Sequence, residues 1–346
     1  MRLPTASAVA VMSCVSMLIA ACGSNASDAH GAGSSGGTSA EAGGASAELG
    51  GMSSGGAGAH NAELGGTSST SGGSESTGGS PGSGGKSSSS CKRGLAYGHH
   101  SIADLKAISP GVSWWYNWDF RPDQDLRAGA YRDAGVEYAP MIWGSASDRT
   151  AAKTAIGDDA RVLLGFNEPN FGSQANLSAK AAAGLWPELE AIADAKDLRL
   201  VSPAVNFCGG DCQDTDPFHY LDAFFAACTG CRVDAVAMHI YVGCSPTGDN
   251  KAAYLINHVE TYKKRFTQPL WLTEFACDSA KSVAEQRAFL EDAVAYLEAE
   301  PRIERYAWFS GRASNVANVD LLGASGELTE LGKAYVNAPT NSDCIR

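Results

Sequence analysis

The sequence is short of positive charge. Lys and Arg total 26 against 38 Asp and Glu, a formal net charge of −12, which argues against nucleic acid or an anionic membrane surface as a partner. A neutral substrate suits that balance. Aromatic residues and cysteine are missing from one whole segment: between Gly23 and Ser90 there is no Phe, Tyr, Trp or Cys, and Lys86 is the only Lys or Arg. The same 68 residues hold 21 Gly and 19 Ser. Such a chain cannot bury enough apolar surface to offset the entropy of ordering it. It reads as a disordered Gly/Ser-rich linker, with a span of roughly 45 Å if it behaves as a flexible coil. Ala47-Glu48-Leu49-Gly50-Gly51 recurs as Ala62-Glu63-Leu64-Gly65-Gly66, which is low complexity and not a folded repeat.

Nor is there an apolar run long enough for a comfortable membrane span. The stretch Ala6–Ala21 follows a single basic residue, Arg2, and soon gives way to polar chain, the form of a secretory signal. Residues 1–21 are expected to be a signal peptide. Ile19-Ala20-Ala21-Cys22-Gly23 resembles the lipobox of bacterial lipoproteins, in which the chain is cut before a Cys that is then acylated. The expectation is an exported lipoprotein of the bacterial cell envelope, lipidated at Cys22, with 22–90 as a tether. An ordinary signal peptide and a secreted protein are the alternative. Any contact with a membrane is then made through the lipid anchor alone.

All seven Trp and all 11 Tyr fall in residues 91–346. A segment of this length can build a full core, and about 250 residues is typical of an α/β barrel. Apolar runs alternate with helical periodicity along it. Strands are expected at Arg93–Tyr97, Val112–Trp118, Glu137–Trp143, Val162–Asn167, Arg199–Ala204, Asp234–Tyr241, Pro269–Phe275 and Ile303–Ser310. Helices are expected at Ser101–Ile108, Gln124–Ala134, Thr150–Ile156, Ser178–Lys196, Pro217–Ala227, Lys251–Phe266, Val283–Glu298 and Thr329–Val336. Eight β/α units make a (β/α)8 TIM barrel, with a doubly wound sheet as the alternative. Several strands are continuously apolar, as expected when both faces are covered.

Eight cysteines remain after Cys14 and Cys22: Cys91, Cys208, Cys212, Cys228, Cys231, Cys244, Cys277 and Cys344. An even number behind an export signal suggests disulfides. The spacing Cys208-x3-Cys212-x15-Cys228-x2-Cys231 also approximates a zinc ribbon, although Gly209-Gly210 suits a locally closed loop. Of 105 pairings, the one expected is Cys208–Cys212, Cys228–Cys231, Cys244–Cys277 and Cys91–Cys344.

A barrel places chemistry where strands end, and polar and aromatic residues gather there: His99-His100, Tyr116-Asn117-Trp118, Trp143, Asn167-Glu168, Asn206, His239, Tyr241, Glu274 and Trp308. Glu168 and Glu274 each follow a buried run, at strands on opposite sides of the mouth. Two carboxylates flanking one bond are what glycoside hydrolysis needs. Helix capping is the bland reading of Glu168, which precedes Pro169.

The carboxylate pattern Asn167-Glu168-Pro169 with Glu274 resembles clan A of the glycoside hydrolases, retaining (β/α)8 enzymes. More narrowly, Lys92–Tyr97, Ser113–Trp118, Pro140–Gly144, Gly165–Asn170, Ser202–Val205, His239–Tyr241 and Thr273–Cys277 resemble glycoside hydrolase family 128, which includes fungal wall-associated proteins with a glycosyl hydrolase catalytic core. One departure is Ile240, where an aromatic is common between His and Tyr. The resemblance implies a β-1,3-glucanase acting on β-glucan, with Glu168 as acid/base, Glu274 as nucleophile and Asn167 as a ligand to the sugar 2-hydroxyl. Tyr241 is implied to hydrogen-bond Glu274, and His239 to contact substrate or its supports, with a satisfied core histidine as the alternative. Glu168 is expected to be the carboxyl with the raised pKa.

Tyr116, Trp118, Trp143, Asn206 and Trp308 complete the expected substrate-binding set, with Trp118 and Trp308 nearest the mouth. Trp186 and Trp271 read as packing. Neither a metal nor an organic cofactor is implied, and a monomer is expected. A non-hydrolytic glucan-binding protein and a hydrolase of another β-linked glycan are the alternative functions.

Overall fold

A computed structural model describes residues 91–245, 248–313 and 315–341. The signal peptide, Cys22 and the linker lie outside the described residues. Eight parallel strands alternate with eight α-helices there, an α/β fold. The strands are β1 (Arg93–Ala96), β2 (Trp114–Tyr116), β3 (Glu137–Tyr138), β4 (Val162–Leu164), β5 (Arg199–Val201), β6 (Val236–Val242), β7 (Leu270–Cys277) and β8 (Ile303–Phe309). The helices are α1 (Ile102–Ile108), α2 (Ala130–Asp133), α3 (Arg149–Ala155), α4 (Ala179–Lys196), α5 (Pro217–Ala227), α6 (Ala253–Arg265), α7 (Val283–Ala299) and α8 (Glu330–Asn337).

Six strands form one continuous arc in the order β3-β2-β1-β8-β7-β6, and β4 pairs with β5 separately. Single parallel bridges join the two pieces: Met141 to Leu164 on one side, Val201 to Ala235 and Val205 to Met238 on the other. The ring is thus the expected eight-stranded one, and the doubly wound alternative does not hold.

The apolar runs overstate the shorter strands. The run Glu137–Trp143 keeps continuous ladder pairing only at Glu137–Tyr138, with a single further bridge at Met141; between them stands Pro140, which has no N–H to give. The expected helix Gln124–Ala134 is a 3-10 turn at Gln124–Leu126 followed by α2. Gly129, in a left-handed conformation at φ 96°, separates them. Six helices open on a Ser, Thr or Asp whose side chain accepts a first-turn N–H: Ser101, Asp148, Ser178, Asp216, Ser282 and Thr329. Each cap satisfies a donor the helix cannot satisfy itself.

The bottom of the ring is sealed by Arg93 of β1. Its buried guanidinium donates to Tyr306 Oη, Glu298 Oε1 and the carbonyls of Tyr335, Ala338 and Pro339. Removing one partner of such a buried pair costs about 3–5 kcal/mol. Next to it, a Cβ on Gly94 would fall 2.3 Å from the Trp114 indole, so only glycine lets that ring lie under the barrel floor.

Three of the expected disulfides are present: Cys208–Cys212, Cys228–Cys231 and Cys244–Cys277. They consume the ligands of the zinc-ribbon reading, which is thereby overturned. Cys91 is also disulfide-bonded, while Cys344 lies outside the described residues. No helix among the described residues is long and apolar enough to cross a membrane.

Candidate active site

Glu168 is delivered by the chain leaving β4. Gly165 lets β4 approach β5 closely, since a Cβ there would meet Val201 O at 2.8 Å. Beyond it, Asn167 N–H donates to Trp143 O and Glu168 N–H to Ala204 O, which fixes the turn between neighbouring strands. Glu168 itself takes a left-handed φ of 38°, an uncommon conformation for a side-chain-bearing residue that is found often at functional sites. The capping reading fails, because α4 begins eleven residues later, at Ala179, and is capped by Ser178.

Glu274 lies within β7, buried on every side. Opposite it, β6 carries an irregularity between Met238 and His239 that brings His239 into register with Glu274. Such a bulge re-aims a side chain. His239 Nδ1 lies 3.1 Å from Glu168 Oε1 and 3.5 Å from Glu274 Oε2. One ligand-type atom from each of Glu168, His239 and Glu274 lies within 4.8 Å of the other two. The imidazole therefore joins two carboxyls and is not a core histidine.

The two carboxyls have unlike surroundings. Glu274 Oε1 accepts from Tyr116 Oη at 2.9 Å and Trp118 Nε1 at 2.8 Å, and Oε2 from Tyr241 Oη at 2.5 Å. Burial and the adjacent Glu274 push the Tyr116 and Tyr241 phenols well above their usual range, so both remain donors. Three donors converge on this one carboxyl and leave little room for a metal ion on its oxygens. Glu168 is held mainly by His239 and the Asn206 side chain. Burial pushes its pKa up, the nearby Glu274 adds to this, and the bonds from His239 and Asn206 oppose it. Burial pulls His239 down, but the two carboxyls outweigh it and its pKa also rises. The Glu168–His239 pair thus holds a proton more firmly than either group would alone in water.

Most of the expected residues meet here. Asn167 is buried beside Glu168, with its Nδ2 on Gln174 at 3.3 Å and its Oδ1 without a partner. Trp143 is half-buried at the same end of the ring. Two expectations need correction. Tyr116, fully buried, offers no face for stacking, and its hydroxyl serves Glu274 instead. Trp308 is also fully buried: its indole donates to Val319 O and its ring packs among Phe275, Phe289 and Tyr335. The adjacent Phe309 turns inward, packing on Trp118 and Tyr241.

Phe207, directly after Asn206, was not among the expected residues; it is 37% exposed, with its ring against Phe218 and His258. Asn117, named only for its position, proves to be the centre of a hydrogen-bond network.

Comparison with known proteins agrees with this geometry. The sequence model of the glycosyl hydrolase catalytic core matches residues 94–335. Alkali-sensitive linkage protein 1 of Schizosaccharomyces pombe is 28% identical over 271 residues, covering 72% of this chain. The chain spans about half the length of that relative, 45%. The crystal structure of a subgroup II endo-β-1,3-glucanase of family 128 from Sorangium cellulosum matches with a TM-score of 0.72 and 64% identity. It covers 73% of this chain and 100% of its own. The subgroup II enzyme from Pseudomonas viridiflava matches at 0.66 and 36%, with coverage of 73% and 100%. A subgroup I enzyme from Amycolatopsis mediterranei, in complex with laminaritriose, matches at 0.58 and 31%, with coverage of 72% and 100%. By its folded segment and by its buried carboxyl pair, this chain belongs to the glycosyl hydrolase catalytic core proteins, in glycoside hydrolase family 128.

Proposed function

We propose that the protein is a retaining glycoside hydrolase that cleaves β-1,3-glucosidic linkages in β-1,3-glucan, with Glu274 as nucleophile and Glu168 as acid/base. The observation that carries this reading is the asymmetric carboxyl pair, with side-chain atoms within 4.8 Å. One oxygen of each carboxyl approaching the other this closely supports the closely spaced pair of retaining enzymes, in which one carboxylate is the nucleophile. In the first step Glu274 attacks the anomeric carbon, the glycosidic C–O bond breaks, and the proton of Glu168 goes to the leaving oxygen. In the second, Glu168 takes a proton from water, the oxygen of that water attacks the same carbon, and Glu274 leaves. Tyr116, Trp118 and Tyr241 hold and aim Glu274, and Asn167 offers its free Oδ1 to the sugar.

The substrate assignment is supported by the relatives, described as endo-β-1,3-glucanases, one of them holding laminaritriose. We also propose that the protein works outside the cytoplasm, exported by residues 1–21 and tethered through Cys22 and the Gly/Ser-rich segment. The disulfides, which persist in oxidising compartments, support that site of action.

The test is reducing-sugar release from soluble β-1,3-glucan by the full chain beside its Glu274→Gln variant. Release that disappears in the variant is the expected result. Binding without release would instead indicate a glucan-binding protein, and neither would indicate a different glycan.

A further inference from the structure

The chain between β2 and α2 contains a closed hydrogen-bond network that no step of the chemistry uses directly. Asn117 is the first residue after β2 and precedes Trp118. Its Nδ2 donates to Arg121 O at 3.0 Å and to Asp123 Oδ1 at 2.9 Å. Its Oδ1 accepts from the Asp119 N–H at 3.2 Å and lies 2.5 Å from the Tyr138 hydroxyl. That hydroxyl is also 2.6 Å from the carbonyls of Asp119 and Arg121. Asp123 Oδ2 in turn accepts from the His100 N–H at 3.0 Å and lies 3.1 Å from His100 Nδ1. Tyr97 packs edge-on against the His100 ring. Burial acts to raise the pKa of Asp123, but the bonds from His100 and Asn117 outweigh it and hold its carboxyl below the usual range. The network therefore ends on a lasting anion.

What the network holds is Trp118, whose φ is 62°. A bulky aromatic residue in the left-handed region is a genuine outlier, costing on the order of 1–3 kcal/mol unless its surroundings enforce it. Only Asn117 separates Trp118 from β2. Asn and Asp side chains that bond to backbone groups a few residues on are the usual means of imposing such a turn.

We propose that Asn117, anchored by Asp123, His100 and Tyr138, is a positioning residue that keeps Trp118 in this conformation, so that its indole N–H reaches Glu274. The proposal rests on Glu274 being the nucleophile. It gives the βα-loop after β2 a catalytic purpose at one remove: the buried anion Asp123 orients Asn117, Asn117 shapes the turn, and the turn aims a donor.

The test compares Asn117→Ala, Trp118→Phe and the double variant in the full chain. Glu274 faces Tyr116, Trp118, Tyr241, His239 and Glu168, and only the Trp118 contact should change. In kcat/KM on soluble β-1,3-glucan, each single variant should lose about tenfold, the low end of what a hydrogen bond to a charged group contributes. The double variant should lose no more than either single one, because both changes remove one contact. A second readout needs no turnover. The indole N–H resonance of Trp118, identified by its loss in Trp118→Phe, should shift in Asn117→Ala while those of Trp186 and Trp271 stay in place. Tyr138→Phe, a milder change, should shift it in the same direction and serves if Asn117→Ala does not fold. An unmoved Trp118 resonance in a folded variant, or activity losses that add in the double variant, would overturn the proposal. A wild-type protein inactive on β-1,3-glucan bears on the substrate instead, and the resonance still decides the positioning.

Discussion

Tyr241 and Glu274 are joined by the shortest of the three bonds to this carboxyl, 2.5 Å from phenol to Oε2, across the β6–β7 ladder. Hydrogen bonds to charged groups are worth about 1.5–3 kcal/mol. Tyr241→Phe should therefore lower kcat/KM at neutral pH by about 10- to 100-fold. An unchanged rate would show that the phenol is dispensable.

Glu168→Gln cannot protonate a leaving oxygen. On β-1,3-glucan the loss should be about 10²- to 10⁴-fold, the usual contribution of a positioned acid or base. Aryl glucosides whose phenol leaves without a proton should lose much less in the first step. Because burial raises the pKa of Glu168, the wild type should lose activity as pH rises through that value, and the variant should lack this alkaline limb. An alkaline limb that survives in the variant would assign the acid elsewhere.

His258 provides a stability test away from the chemistry. Buried among Phe207, Phe218 and Tyr262, it has its pKa pushed down to about 4 by desolvation, against a weaker pull from Asp216. The unfolded chain takes up a proton near pH 6.5, while the folded chain does not until about pH 4. Stability is then fully present above the unfolded value and lost as pH falls through this window, by up to about 3 kcal/mol. Thermal unfolding of His258→Phe should fall less between pH 7 and 4.5 than that of the wild type. Equal slopes would remove His258 as the cause.

Cys244–Cys277 ties the ends of β6 and β7, 33 residues apart. By the loop-entropy estimate its removal costs about 3–4 kcal/mol, or roughly 10 °C in Tm for a domain of this size. Cys244→Ser with Cys277→Ala should show that loss in calorimetry, with activity at 25 °C largely kept. A Tm within ~2 °C of wild type would mean that the ladder alone holds the two strands.

The positions of Glu168 and Glu274 were legible because a carboxylate directly after a continuously apolar run stands out against its neighbours. The local disulfides were legible for a similar reason, since short spacing leaves few partners. Facing was not legible. In a strand buried on both sides, hydrophobicity no longer marks which side is inside, so Trp308 and Phe309 could not be told apart. The irregularities between Met238 and His239 and between Leu272 and Phe275 set those directions, and no residue type announces them. That the Trp118 indole N–H reaches Glu274 was not legible either, because its left-handed turn depends on Tyr138, twenty positions away.

The two-piece ring has a consequence for the reaction. Glu274 rides on the six-strand arc and Glu168 on the chain leaving the β4–β5 pair, so the two carboxyls are carried by different ladders. Isolated bridges and a few backbone bonds close the seams between them, among them Ile142 N–H to Leu164 O and Asn167 N–H to Trp143 O on one side, and Ser202 N–H to Ala235 O and His239 N–H to Val205 O on the other. The distance that separates a retaining from an inverting outcome is thus a property of those seams. A substitution at Met141, Ala235 or Val205 could retune that distance while leaving both carboxylates in place.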